Sequence, residues 1–345
     1  MSSKSLRWGT TLLVLALAAF GVNLASAQAS ERPTGEELDE RQTSPRLVLY
    51  YQTQYVGGSG DDDPGTYVSP LPLADHGATH VYVAAIHLND VVGPYPPVTL
   101  NDHAPDHPRY DRMWADLATL QKQGVRVLGM VGGAAPGTFD RLDHDFETYY
   151  PLLRDTISRY HLDGVDLDVE QPMSQEGVQR LIDALRADFG PDFLITLAPV
   201  APALRGGDNL SGFDYDELYA ARGDDIAWFN TQFYCGWGLL DDTEDYDRII
   251  RHGVVPPSKV VAGTLTNPAN CGSGYVDLPV LTRTIRDLKA AYPDFGGIMG
   301  WEYFNSLPGG TDAPWIWAQT VRRALDGART PSPASGPAET DDSAR

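Results

Sequence analysis

The sequence predicts a single (β/α)8 barrel without a large inserted domain. Three observations carry that expectation. Short β-branched or apolar runs alternate with stretches of helical period over roughly 280 residues. About eight such pairs occur, which suits a closed barrel better than an open sheet. No Gly-rich dinucleotide fingerprint follows the first run, which counts against a doubly wound sheet, the alternative that pattern alone leaves open.

The elements follow in order. Residues 1–27 open with Lys4 and Arg7, continue with the apolar "TTLLVLALAAFGV" and end on "ASA" at Ala27. That is the pattern of a cleaved secretory signal, and the apolar run is shorter than the ~20 residues of a membrane span. Residues 28–45, polar and acidic, are expected to be a flexible lead-in. The barrel is expected over 46–327. Its strands are "RLVLYY" (46–51), "THVYVAAI" (79–86), "VRVLGMV" (125–131), "GVDLDVE" (164–170), "FLITLA" (193–198), "IAWFNTQFY" (226–234), "KVVAGTL" (259–265) and "GGIMGWEY" (296–303). Helical period is clearest in "RYDRMWADLATLQKQ", "YYPLLRDTISRY", "QEGVQRLIDALRADF", "DYDRIIRHG" and "LPVLTRTIRDLKAAY". The Pro/Ser/Ala-rich tail, 328–345, is expected to be disordered.

Composition narrows the partners. The chain has 26 basic and 47 acidic side chains. Residues 1–27 hold two of the cations and no acid, so the exported remainder carries −23. So acidic a surface repels nucleic acid and anionic lipid, and makes polyanions poor substrates. No coiled coil or obvious oligomer patch is present, and a secreted monomer is expected. Two cysteines are too few for a disulfide scaffold, so stability must come mainly from an apolar core.

The chemistry concentrates in "LDGVDLDVEQ". Along a strand, Asp166, Asp168 and Glu170 share one face, and Val165, Leu167 and Val169 the other. In a barrel the acidic set faces the interior, with Glu170 last, at the C-terminal rim where barrel active sites lie. Asp163 has the opposite parity and belongs to the strand entry or to a bulge, which alternation does not decide. Carboxylates about 6–7 Å apart along a buried strand cannot all stay ionised. At least one is held protonated, as a general acid requires. A solvated edge strand does not fit the wholly apolar opposite face. A metal site would want further acids or His grouped on neighbouring strand ends, and the eight histidines are scattered without ligand spacing. Neither metal nor cofactor is expected.

"DGVDLDVE" resembles the Asp-x-x-Asp-x-Asp-x-Glu signature of family-18 glycoside hydrolases, the chitinases and endo-β-N-acetylglucosaminidases. "GMVGG" (129–133) resembles the third-strand Ser-x-Gly-Gly of that family, with Met130 where serine is usual. "FNTQFY" (229–234) and "MGWEYFNS" (299–306) resemble its sixth-strand Gln-Phe-Tyr and last-strand Trp. The resemblance covers the whole TIM barrel. Segments such as "MVGGAAPGTF", "NTQFYCGWG" and "GWEYFNSLPGG" are similar to fungal endo-β-N-acetylglucosaminidases of the Endo T type, which cut the chitobiose core of high-mannose N-glycans.

The resemblance implies substrate-assisted hydrolysis, in which the 2-acetamido oxygen of the sugar attacks C1 and forms an oxazolinium ion. Glu170 would protonate the leaving oxygen and later deprotonate water. Asp168 would hold the acetamido N–H, Asp166 would share a proton with Asp168, and Tyr234 would donate to the acetamido oxygen. Gln232 and Asn230 would line the site, Trp301 would form the floor under the sugar, and Tyr51 is a weaker candidate for sugar contact. Gly132 and Gly133 allow close backbone approach. Cys235 follows the sixth strand and Cys271 lies after the seventh, so adjacent strands put both at one rim. A bridge between them is expected, with two unpaired thiols as the alternative.

Three functions compete at this stage. The first is cleavage between the two core GlcNAc residues of N-glycans. The second is a chitinase on soluble chitin oligomers. The segment between the last two strands, about 266–295, is too short for the insertion that deepens the groove of processive chitinases. The third is a catalytically silent GlcNAc-binding lectin, which the retained Glu170 disfavours.

Overall fold

The computed structural model describes residues 45–60 and 63–327. The expected signal pattern, the rest of the acidic lead-in and the Pro/Ser/Ala-rich tail lie outside the described residues.

Eight parallel strands close on themselves. They are β1 (Arg46–Tyr51), β2 (His80–Leu88), β3 (Arg126–Gly132), β4 (Gly164–Asp168), β5 (Leu194–Leu197), β6 (Trp228–Gln232), β7 (Val260–Leu265) and β8 (Gly297–Trp301). Each pairs with its sequence neighbour, and β8 returns to β1 with Arg46 opposite Gly297 and Leu49 opposite Gly300. The chain is therefore a (β/α)8 barrel, and the last two strands are separated only by the segment from Leu265 to Gly297, with a short 3-10 turn, Pro268–Asn270, and one α-helix, Leu278–Ala291. Every predicted strand lies within two residues of an observed one at each end.

Parity sorts the side chains into two cores. Val48, Tyr50, Tyr82, Leu128, Met130 and Trp228 fill the barrel interior. Leu47, Leu49, Tyr51, Val81, Val165 and Leu167 face outward under the helices. The helix Gln175–Phe189 shows how the outer layer is specified. Ser174 caps it, its hydroxyl accepting from the Gly177 N–H at 3.0 Å, and Gly190 ends it at φ +79°. Val178, Leu181, Ile182 and Leu185 fall on one face and are fully buried. Each such side chain contributes ~1.5–3 kcal/mol.

Asp163 holds the start of β4. Its carboxylate accepts from the Val127 N–H at 2.8 Å and from Gln121 at 2.9 Å, and it pairs with Arg126 at 3.2 Å. This ties β4 to β3 and sets its register, Met130 opposite Asp166 and Gly132 opposite Asp168. Two features went unread in the sequence. One is an antiparallel hairpin, Tyr55–Gly60 with Asp63–Tyr67, after β1. The other is a short strand, Val98–Leu100, paired antiparallel to the end of β2. No helix among the described residues is long and apolar enough to cross a membrane.

Candidate active site

The interior acids of β4 form a ladder from the barrel core to the rim. Asp166 is fully buried and accepts three hydrogen bonds: from the Tyr50 hydroxyl at 2.5 Å, Thr196 at 2.6 Å and the Asn230 amide at 2.9 Å. Burial pushes its carboxyl above the ordinary range, and the three donors pull it back toward ionisation. The contacts reach further, since Tyr82 hydrogen-bonds Thr196 at 3.2 Å and Trp228 donates to Asn230 at 3.0 Å.

Asp168, one pleat higher, is pushed well above the ordinary range by burial, then by the charges of Glu170 and Asp166. Burial and these neighbouring charges favour its protonated form. The Gln232 amide nitrogen donates to Asp168 at 3.2 Å, to Glu170 at 3.1 Å and to the Ala198 carbonyl at 2.9 Å. Gln232 thus holds the two upper carboxyls together against their repulsion. Glu170 stands two residues beyond the end of β4 and is only part-buried.

These groups surround a cavity of about 270 Å³ at the C-terminal end of the strands. Asp168, Glu170, Gln232, Tyr234, Trp301 and Met130 line it, and the first two are its only carboxyl groups. Tyr234 is nearly buried, and burial with the three acids nearby raises its phenol well above the ordinary value, so it stays a donor. Its backbone is pressed by Gly274, where a Cβ would come within 2.5 Å of the Tyr234 Cα. The Cys235–Cys271 disulfide, with Cα atoms 5.8 Å apart, joins the segments after β6 and β7 beside it. Trp301 ends β8 half-buried, its ring 5.3 Å from that of Tyr50 in an edge contact. On the opposite wall, Gly132 and Gly133 adopt φ of +90° and +86°, and a Cβ on Gly133 would strike the Met130 side chain at 2.9 Å.

Two expected contacts are corrected. Tyr51 points out of the barrel, fully buried, its hydroxyl donating to the Val68 carbonyl at 2.6 Å. The inward tyrosine of β1 is Tyr50. Asn230 lies below the cavity against Asp166 rather than lining it, because its strand position is one pleat deeper than that of Gln232. Sequence reasoning also missed Tyr50, Tyr82 and Thr196. The pairing of Thr196 opposite Asp166 across β4 and β5 brings that hydroxyl to the acid. Among the described residues, no group of three or more His, Cys, Asp or Glu is arranged to hold a metal ion.

No family model matches the sequence. A fungal endo-β-N-acetylglucosaminidase from glycosyl hydrolase family 18 is 51% identical to it, with TM-score 0.75, over 82% of this chain and 99% of that one. The chain belongs to glycosyl hydrolase family 18. A chitinase, ChiC from Aspergillus fumigatus, is 47% identical, with TM-score 0.72, over 81% of this chain and 99% of the other. Chitinase 2 of Rhizopus oligosporus is 28% identical over 324 residues, 85% of this chain and 53% of that protein. The chain thus spans about half the length of that curated relative.

Proposed function

We propose that this family-18 chain is an exported endo-β-N-acetylglucosaminidase that hydrolyses the GlcNAc-β-1,4-GlcNAc core of N-glycans with retention of configuration. One observation carries the mechanism. The cavity has two carboxyl groups, Asp168 at the end of β4 and Glu170 two residues beyond it, with no third acid among its lining residues. A two-carboxylate retaining scheme needs a nucleophile across the sugar ring from the acid. With none there, the nucleophile is supplied by the acetamido oxygen of the substrate.

The steps balance without an outside group. The GlcNAc ring stacks on Trp301, its amide N–H meets Asp168, and its amide oxygen meets the Tyr234 hydroxyl. A protonated Asp168 hydrogen-bonds Glu170. Docking of the N–H favours the ionised form of Asp168, and its proton passes to Glu170. Glu170 gives this proton to the glycosidic oxygen as the C1–O bond breaks and the amide oxygen closes on C1. The oxazolinium charge is balanced by Asp168, with Asp166 fixed beneath it by three donors. Water then attacks C1, Glu170 takes its proton, and the oxazolinium ring opens. Export is supported by the signal pattern of residues 1–27.

A second reading, hydrolysis of soluble chitin oligomers, is favoured by the 47% identity to a chitinase. Incubation with a high-mannose glycoprotein and, separately, with chitin oligomers decides between them. A size drop that leaves one GlcNAc on asparagine supports the first reading. Release of chitobiose from the oligomers alone supports the second, and binding without cleavage of either overturns both.

A further inference from the structure

Glu170 is not carried by the sheet. The ladder of β4 ends at Asp168, and the chain turns away before the acid, so that the Glu170 N–H falls back on the Asp168 carbonyl at 3.2 Å. A strand residue is fixed by the backbones beside it, but one beyond the strand end needs other anchors. The opposite end of the same peptide unit, the Val169 carbonyl, accepts from the Ser211 hydroxyl at 2.7 Å. The unit is planar, so holding its N–H and its C=O together sets the direction in which the Glu170 Cα leaves it.

Ser211 is only 2% exposed, and its oxygen lies 2.8 Å from the Tyr215 hydroxyl. Its one proton is spent on Val169, so Tyr215 is the donor in that contact. Ser211 is itself seated by Asn209, whose Oδ1 accepts from the N–H groups of Ser211 and Gly212, each at 3.0 Å. The Asn209 amide donates to the Phe213 carbonyl at 3.2 Å. Asn209-Leu210-Ser211 has the Asn-x-Ser pattern of a glycosylation acceptor, yet the fold engages both of its polar ends internally.

The grip extends past the acid. The Ser211 carbonyl accepts from the Met173 N–H at 2.8 Å, and a Cβ on Gly212, at φ +82°, would come within 3.0 Å of the Pro172 Cα. On the other side, the Gln171 side chain accepts from the Gly137 N–H at 2.6 Å. The turn over residues 169–173 is thus held by the connectors after β5 and β3, and Glu170 alone of these five lines the catalytic cavity. A displacement of about 1 Å in a reacting group can cost about 10²-fold in rate, which gives such bracing a chemical purpose.

We propose that Ser211 is a positioning residue for Glu170: its hydroxyl fixes the peptide between Val169 and Glu170 and so aims the carboxyl at the glycosidic oxygen. This rests on the reading of Glu170 as proton donor given above. It gives the connector after β5 a part in the reaction although none of residues 209–215 lines the cavity.

The test measures kcat and KM of the full chain, S211A, S211T and E170Q on aryl chitobiosides whose leaving groups run from dinitrophenol to phenol. A phenol that departs readily needs little protonation, and a poor one needs the acid in place. S211A is expected to lose about tenfold in kcat/KM on the phenyl glycoside, through kcat, and little on the dinitrophenyl one. S211T, which restores the hydroxyl, is expected to recover most of that loss. A merely structural serine would leave the dependence on leaving group as it is in the parent, so an equal loss across the series, or none, overturns the proposal. E170Q separates this failure from that of the underlying reading. A steep dependence in E170Q without one in S211A overturns the role of Ser211 alone, and no dependence in E170Q overturns both. If S211A does not fold, S211C, close to serine in volume and a weaker donor, carries the same expectation. A crystal structure of either variant in which the peptide before Glu170 keeps its orientation also overturns the proposal.

Discussion

Replacing Tyr50 with Phe removes one oxygen and leaves the ring in place, so its cost reports the hydrogen bond to Asp166. The acceptor is a fully buried carboxyl with two other donors, Thr196 and Asn230. A bond to a charged acceptor contributes about 1.5–3 kcal/mol, and one to a neutral acceptor about 0.5–1.5 kcal/mol. The cost of Y50F therefore depends on whether Asp166 is ionised. Burial holds its folded pKa above that of an unfolded aspartate, and losing a donor raises it further. A raised carboxyl contributes stability that is fully present below the unfolded value and is lost as pH rises through the folded one. The extra destabilisation in Y50F should accordingly be small in acid, where Asp166 is protonated in both proteins. It should grow by about 1–1.5 kcal/mol once the pH has passed the folded pKa. Urea unfolding at an acidic and a mildly alkaline pH, with the slope held fixed, measures both values. A penalty that is equal at the two pH values, or larger in acid, would refute the assignment of Asp166 as an anion held by Tyr50.

Other substitutions probe neighbouring parts. Glu170→Gln should lower kcat by at least about 10²–10⁴ with KM little changed, measured on an aryl chitobioside. Gln232→Leu removes the amide that holds Asp168 and Glu170 together, and should lower kcat and shift the acidic limb of the pH–rate profile. Asp163→Ala leaves the Val127 N–H without its acceptor and should cost about 1–3 kcal/mol of stability, read by urea unfolding, with little effect on KM. Loss of the Cys235–Cys271 bridge, which spans 36 residues, should cost at most about 4 kcal/mol in the same assay.

The sequence disclosed most where one face of a strand differs from the other. "GVDLDVE" alternates acid with apolar residue, so the inward ladder and its order could be read directly. In "RLVLYY" both faces are apolar after the first residue, parity leaves no mark, and the choice of Tyr51 over Tyr50 was unguided. Asn230 and Gln232 have the same parity, and only the depth of β6 in the barrel separates a residue under the cavity from one inside it. The hairpin after β1 is rich in Gly and Asp, and its strands "YVGGSG" and "DPGTY" lack the alternation of a half-buried sheet. The wall of the wider cavity beside Gln52 and His87, about 630 Å³ in volume, was hidden for the same reason. Its residues lie on rim segments whose paths follow from packing rather than from period.

Tyr50, Thr196 and Asn230 reach the lowest acid from β1, β5 and β6, while a wider cavity of about 630 Å³ that shares Gln52, His87 and Ala135 with the one around Glu170 is built largely by segments that connect strands. The acid ladder is thereby braced by the strands themselves, while the rim beside it is shaped by connectors. Changes of length or sequence in the connectors after β1 and β2 would reshape that rim and leave the bracing of the ladder as it is.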